Sequence, residues 1–492
     1  MDRKFMNIEK YPKMNKIDWL AMSICITIGL IVRLYNINVP IGDFHSWRQA
    51  DTASVARNFA RKDFNLLKPQ YDDVSSIQTG LDNPQGLRMV EFPIYNAIFA
   101  SLYKIYPSYS IETYGRVTSV FFALIIIAIL YYLLYKEVGR TASIIGSLTF
   151  AILPFSIYFT RVVLPETTAL GCVFIAIFAL YKWSTEEHNI FKISYFAIGI
   201  LSFASAILIK PTAIFFGFVL FYIFCKSYRF TLLKKPYFYI FFILAGLPLL
   251  WWRKYILQFP EGIPASDWLI TSVNTYKGLE NIFFKPAFFR WVFYERINNI
   301  IFGGYITVFF ILGIIFKPKY FLFHAIGFST LTYLLIFQGG NVQHEYYQTL
   351  ILPALASFVG IGFDGIQKNI RSFVHPIILI GSLLLVYSAG ILFSYYHVKD
   401  YYNYSNDLVS IASIVRSFTK PTDKIVTDTM GDTTLLYLID RKGAPAIFKE
   451  VPELKKDGYS YLVTYTTETA TRIQKEGFQK IFSTDKFTLI KL

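Results

Sequence analysis

Along this 492-residue chain, apolar runs recur at a length that only one environment demands. A helix needs roughly 17–25 apolar residues to cross bilayer hydrocarbon. Inside the bilayer, every backbone N–H and C=O must be satisfied within the spanning segment itself. Eleven runs approach this length, near 17–37, 112–135, 141–160, 166–183, 193–209, 212–225, 236–252, 299–316, 320–337, 348–364 and 376–393. The chain is therefore expected to be a polytopic α-helical membrane protein with about 11 transmembrane helices. Its 54% hydrophobic and 16% charged residues agree, because soluble domains carry about 25% charged residues. Lys210-Pro211 splits the long apolar stretch 193–225 into a helical hairpin, since proline interrupts a helix.

Loop charge sets the expected orientation. Basic residues in short loops stay cytoplasmic. With the N-terminus (1–16) inside, the cytoplasmic segments collect seventeen Lys and Arg, from Arg3 and Lys4 through to Lys368 and Arg371. The short external turns hold two, Arg161 and Lys210. This places a transmembrane domain at 17–393. The long first loop (38–111), the loop 253–298 and a C-terminal region (394–492) lie outside. The basic N-terminus leads into its apolar run without a small-residue cleavage site, so a retained first span is expected rather than a removed signal.

The formal charge of +15 does not indicate nucleic acid. Many of the basic residues flank apolar runs, where they orient the chain and meet anionic lipid. Cys25, Cys172 and Cys225 all fall in apolar runs and define no disulfide framework. The few histidines are scattered without ligand spacing, so no metal site is expected.

In the first loop, 53–67 and 91–106 have amphipathic spacing and suit helices lying along the bilayer surface. Gly80-Leu-Asp-Asn-Pro-Gln-Gly86 is a turn sequence. In 394–492 the pattern changes. Helices are expected at 405–419 and 466–476, with strands at 424–428, 459–465, 478–483 and 486–491. These make a small external α/β domain.

The residues that could carry chemistry cluster at the outer face. Asp43 follows the first span closely and is a candidate general base; taken alone, it reads better as a cap of the helix that starts near Ser46 or as a partner of Arg48. Asp51, eight residues on, is the second candidate. His45 and Arg48 are suited to phosphate, although Arg48 has an alternative as a surface ion pair with Asp51. Arg161-Val-Val-Leu-Pro-Glu166 fills one external turn, where Glu166 also suits the first turn of a helix. A cation at Lys210 is costly near the membrane, and a lipid phosphate would offset that cost. Gln343-His-Glu-Tyr-Tyr347 brings His344, Glu345, Tyr346 and Tyr347 to the same level.

This set of motifs resembles the GT-C superfamily of membrane glycosyltransferases, in the glycosyltransferase family 39 (PMT-like) branch. That branch includes protein O-mannosyltransferases and lipid A aminoarabinose transferases. Asp43 matches the acid that such proteins place after the first span. Arg161, Pro165 and Glu166 match the Arg-x-x-x-Pro-acid turn, and Lys210-Pro211 the Lys-Pro turn. His344, Tyr346, Tyr347 and Pro353 match the segment before a late span. The resemblance implies an inverting transfer of one sugar from a polyprenyl-phosphate donor to a hydroxyl on a lipid, glycan or protein acceptor. It implies a place in the bacterial plasma membrane among membrane lipids, and no cofactor beyond the lipid-linked co-substrate. Asp43 or Asp51 would be the base, with Asp43 preferred. Arg48, Arg161, Lys210, His344, Tyr346 and Tyr347 would hold the donor phosphate and lipid, with His45, Glu166 and Glu345 nearby. Two departures stand out. Asp43 is followed by Phe44 rather than a second acid. No Trp-Trp-Asp-Tyr-Gly string occurs, and Trp251-Trp252-Arg253 reads as interface residues, so transfer of a preassembled oligosaccharide is disfavoured. A lipid-sugar flippase and a non-catalytic membrane scaffold are the alternatives.

Overall fold

A computed structural model describes residues 13–264, 286–316 and 319–492. Parts of the expected N-terminal segment (1–12), of the loop 253–298 (265–285) and of one short loop (317–318) lie outside the described residues.

The apolar runs form helices. In chain order these are α1 (Lys16–Arg33), α2 (Ser46–Arg61) and α3 (Ile94–Ile105) of the first loop, α4 (Ile111–Glu137), α5 (Arg140–Ile152), α6 (Pro154–Phe159), α7 (Glu166–Thr185) and α8 (Asn189–Ile209). They continue with α9 (Gly217–Tyr228), α10 (Pro236–Ile256), α11 (Pro286–Phe289), α12 (Thr307–Ile315), α13 (Leu322–Ile336), α14 (Gln338–Gln343), α15 (Leu352–Ile370) and α16 (Pro376–Val398). Among the described residues, seven helical segments are long and apolar enough to cross a membrane. The chain is an integral membrane protein. The apolar run at 141–160 is not one helix. Pro154 removes a backbone donor, and the chain breaks at Leu153 between α5 and α6. The buried Arg33 stabilises this break. Its guanidinium donates to the Ala151 and Phe150 carbonyls at 2.8 and 3.2 Å and to the Thr160 hydroxyl at 2.8 Å. Lys210-Pro211 ends α8, and residues 211–216 form a 3-10 turn before α9.

The first loop departs from the sequence expectation. Its first helix begins at Ser46, not near 53, and its central residues are buried. It is sandwiched against α3, α4 and the C-terminal domain rather than lying on the bilayer. In α3, Tyr95 and Phe99 face inward while Leu102, Ile105 and Tyr106 stay exposed. Trp252 is not an interface residue either. It is buried under the first loop beside Leu87, Met89 and Phe92, and its ring meets that of Phe92 edge-on at 5.0 Å.

The C-terminal domain opens with α17 (Asn406–Phe418), β1 (Lys424–Thr427), α18 (Thr434–Ile439) and β2 (Gly443–Ala444). It closes with α19 (Val451–Lys456), β3 (Tyr459–Thr464), α20 (Thr467–Lys475), β4 (Gln479–Ser483) and β5 (Thr488–Lys491). Strand order is β2-β1-β3-β5-β4, with β2, β1 and β3 parallel and β5 antiparallel to its neighbours. Alternation along the strands gives each sheet face a core. Ile425, Val463 and Leu489 meet Ile411, Val415 and Leu435 on one side. Val426, Leu462 and Ile490 meet Leu454 and Ile473 on the other. The domain is joined to the first loop by backbone pairing. The Val74 N–H donates to the Gly443 carbonyl at 2.8 Å, and the Gly443 N–H to the Asp72 carbonyl at 3.0 Å.

Candidate active site

The C-terminal end of α1, the N-terminal end of α2 and the turns before α7 and after α8 meet at the end of the bundle that carries the C-terminal domain. The chain leaves α1 through Pro40 and Gly42 and enters α2 with His45 left-handed (φ 57). This bend turns Asp43 inward and presents His45 to the side of the bundle that carries Glu345.

Asp43 is buried and fully engaged. One oxygen accepts from Gln49 Nε2 at 2.6 Å, and the other pairs with Arg161 Nη2 at 3.2 Å. Arg161, itself buried, also donates to the Tyr35 and Asn36 carbonyls at 2.6 and 3.0 Å and lies over the Tyr402 ring at 4.8 Å. Gln49 completes the lock by accepting from the Val163 N–H at 3.2 Å. Arg161 therefore stands in the turn before α7 to clamp Asp43 and cap the exit of α1. Asp43 is thereby closed off from solvent.

Beside this pair lies a chain of alternating charges. Arg48 Nη2 bonds both oxygens of Glu91 at 2.8 and 2.7 Å. Lys210 Nζ lies 2.9 Å from Glu91 and 2.6 Å from Glu166, with the Tyr347 ring 4.9 Å away. Burial pushes the Glu91 carboxyl up, but Arg48 and Lys210 outweigh it and hold it down at about 2. Arg48 is thus no partner of Asp51. Glu166 is more than a residue suited to the first turn of α7, for it neutralises Lys210. Two carboxylates of the protein supply the compensation that the sequence reading assigned to a lipid phosphate.

A third group forms around Glu345. One oxygen meets His45 Nε2 and the other Arg296 Nη2, each at 3.0 Å. The His344 ring stacks on Tyr346 at 5.3 Å and lies 5.6 Å from both His45 and Trp47. Burial first, then the neighbouring His45, lowers His344 to about 4. It is a neutral hydrogen-bonding group at neutral pH.

Asp51 belongs to a separate contact set. Arg88 lies 2.8 Å from its Oδ2, and the Thr433 hydroxyl of the C-terminal domain donates to Oδ1 at 2.7 Å. Arg48, Asp51, Arg88 and Glu91 line a hollow of about 20 Å³. This is room for a water-sized occupant, and Asp43 does not line it.

The sequence reading missed Glu91, Gln49, Arg88, Arg296 and Thr433. Glu91 had a signal, a carboxylate alone in the apolar string Met89-Val-Glu-Phe-Pro93. Arg296 sits in the expected outer loop, and no local pattern marks it. Among the described residues no group of three or more His, Cys, Asp or Glu is placed to hold a metal ion.

Residues 93–252 match the family model described as dolichyl-phosphate-mannose-protein mannosyltransferase. No curated protein matches the chain in sequence. Among solved structures, the chain is similar to ArnT from Cupriavidus metallidurans in the apo state, with TM-score 0.66 at 10% identity over 96% of this chain and 97% of that one. The same protein bound to undecaprenyl phosphate gives 0.63 at 10% identity, over 97% and 98%. The archaeal oligosaccharyltransferase AglB from Archaeoglobus fulgidus, in complex with an inhibitory peptide and a dolichol-phosphate, gives 0.57 at 11% identity, over 91% and 69%. The chain has the fold of the GT-C membrane glycosyltransferases and is PMT-like in sequence across residues 93–252.

Proposed function

We propose that this protein is a membrane glycosyltransferase moving a single sugar from a polyprenyl-phosphate donor to a hydroxyl acceptor, with inversion at the anomeric carbon. The convergence of Arg48 and Lys210 on one carboxylate, Glu91, carries this reading. Two buried cations share an anionic ligand at the outer end of the bundle, and a phosphate oxygen has the charge and size to replace it. The similar ArnT structure holding undecaprenyl phosphate supports the donor class.

In this reading Asp43 accepts the acceptor's hydroxyl proton. The resulting oxygen attacks the anomeric carbon on the face opposite the phosphate. The carbon–oxygen bond to phosphate breaks, and the electron pair leaves with polyprenyl phosphate. Arg48 and Lys210 take up its charge, with His344, Tyr346 and Tyr347 around them. Gln49 and Arg161 fix the direction of the Asp43 carboxylate, which must exchange Arg161 or Gln49 for the acceptor. Apo hydrogen-bond geometry around a catalytic base is ordinarily rearranged in the substrate complex. Asp51, tied to Arg88 and Thr433, is the less suited base. Catalysis rests on positioning and charge stabilisation in a closed site, with no metal or resident cofactor. The N-terminus lies in the cytoplasm and the C-terminal domain outside a bacterial plasma membrane. The acceptor is a lipid, glycan or protein.

Mass spectrometry of envelope glycolipids and glycans, with and without this protein, tests the reading. A product one sugar heavier that disappears without the protein is expected. Unchanged products, together with sugar-lipid flux across proteoliposomes, would replace it with a flippase.

A further inference from the structure

A second cavity lies away from the Asp43 and Glu91 groups, at the seam between the C-terminal end of α2, the start of α4 and α17 of the C-terminal domain. Its volume is about 330 Å³, at the small end of the range for small-molecule sites. Three guanidinium groups and two carboxylates line it, and Asp72, paired with Arg57 behind the wall, balances the third guanidinium. Most of these charges are paired. Arg61 Nη1 bonds both oxygens of Asp440 at 2.7 and 2.8 Å. Arg57 donates to the Tyr437 carbonyl at 2.9 Å and lies over the Tyr437 ring at 4.1 Å. It also pairs with Asp72 and Asp440. The Tyr437 hydroxyl donates to Glu112 at 3.1 Å. Arg416, in the last turn of α17, has no carboxylate partner among the described residues. The Arg61 side chain is half-exposed at the cavity.

We infer that this cavity binds a small anionic polyol: a sugar or glycerol unit bearing one phosphate or carboxylate. Arg416, with Arg61 beside it, takes the anion, because guanidinium presents a planar fork to such oxygens. Glu112 and Asp440 are acceptors only and take donated hydroxyls. Tyr103, half-buried at the wall, supplies a ring face and a phenol that a hydroxylated ring meets. The walls come from both the membrane domain and the C-terminal domain, so the occupant bridges the two. The inference is independent of the transfer chemistry, since the cavity shares no residue with the Asp43, Glu91 or Glu345 groups. Two sources offer this chemistry, a soluble sugar phosphate and an anionic phospholipid headgroup.

Full-length protein in phosphatidylcholine nanodiscs, titrated with glucose 6-phosphate and with glucose, tests the first source. Native mass spectrometry after reconstitution with phosphatidylglycerol tests the second. Saturable glucose 6-phosphate binding that exceeds glucose binding, or selective retention of phosphatidylglycerol, supports the site and identifies its source. Arg416→Gln is expected to weaken that binding at least about tenfold, the loss of a charge-assisted hydrogen bond. Val409→Trp fills the cavity and is expected to abolish it; this second variant covers a failure of the first to fold. If neither probe binds, or if binding is the same in both folded variants, the inference is wrong.

Discussion

Every cation in the candidate site is held by a carboxylate that the sequence places far from it. Lys210 meets Glu91 and Glu166, Arg161 meets Asp43, and Arg296 meets Glu345. Buried ion pairs of this kind add little net stability, yet removing one partner costs about 3–5 kcal/mol because the other is left buried and uncompensated. Protonation acts in the same way. His344 is depressed from its ordinary 6.5 to about 4, and Glu91 from 4.5 to about 2. Both folded-state values lie below the unfolded ones. Each contribution is therefore present above the unfolded value and is lost as pH falls toward the folded one. The melting temperature is expected to drop from pH about 6.5 toward 4 through His344, and further from about 4.5 toward 2 through Glu91. His344→Gln should remove the upper part of that loss. A wild-type melting temperature that is flat between pH 6.5 and 4 would contradict the assignment. The residue types of the site were legible because ionisable groups at membrane depth are costly and rarely idle. Their pairing was not, because Glu91 and Lys210 are 119 residues apart and meet only through the packing of the first loop on α8.

At the scale of elements, helices formed along most of the apolar runs. Proline marks the breaks at Pro154 and Pro211, whereas the expected span 299–316 is interrupted at Gly303-Gly304, both left-handed, leaving only Thr307–Ile315 as α-helix in its second half. Hydrophobic length carries that information directly. The sheet was less complete in the sequence. Four strands show alternation or a buried apolar run, but β2 is two residues long, Gly443–Ala444. It exists because it is pinned from two sides. Gly443 pairs with Ile425 on β1 and forms a bridge to Asp73 of the first loop. A Cβ on Gly443 would sit 1.8 Å from the Ile425 carbonyl oxygen, which no side-chain movement relieves. Gly443→Ala is expected to part β2 from β1 and loosen the C-terminal domain on the first loop. The test is limited proteolysis, which should cut near 428–445 faster than in the wild type while the transmembrane helices stay intact. An unchanged cleavage pattern would show that this junction does not hold the domain. Gly86 plays a comparable part in the first loop. It is left-handed (φ +66), and a Cβ there would meet the Tyr71 carbonyl oxygen at 2.7 Å.

Over the whole molecule, the C-terminal domain is coupled to the helix that carries the site. Thr433 donates to Asp51 at 2.7 Å and to the Trp47 carbonyl at 3.1 Å, and the Thr434 hydroxyl meets Ser46 at 2.9 Å. The sequence indicated a small external domain but not this junction, which joins residues more than 380 apart. A bundle with a closed polar site and a capping domain suits chemistry performed on a lipid-borne substrate at a membrane face. The central claim is that Asp43 performs that chemistry as the base. The most direct measurement is transfer of labelled sugar from a polyprenyl-phosphate donor to acceptor by reconstituted full-length protein, wild type against Asp43→Asn, with melting temperatures taken in parallel. Asn keeps the shape, and Arg161 retains the Tyr35 and Asn36 carbonyls, so the variant is expected to fold with a lowered melting temperature, because buried Arg161 loses its charge partner. The account predicts that it binds donor and loses transfer by at least about a hundredfold, in line with the loss of a general base. A folded Asp43→Asn protein that transfers sugar at the wild-type rate would contradict it.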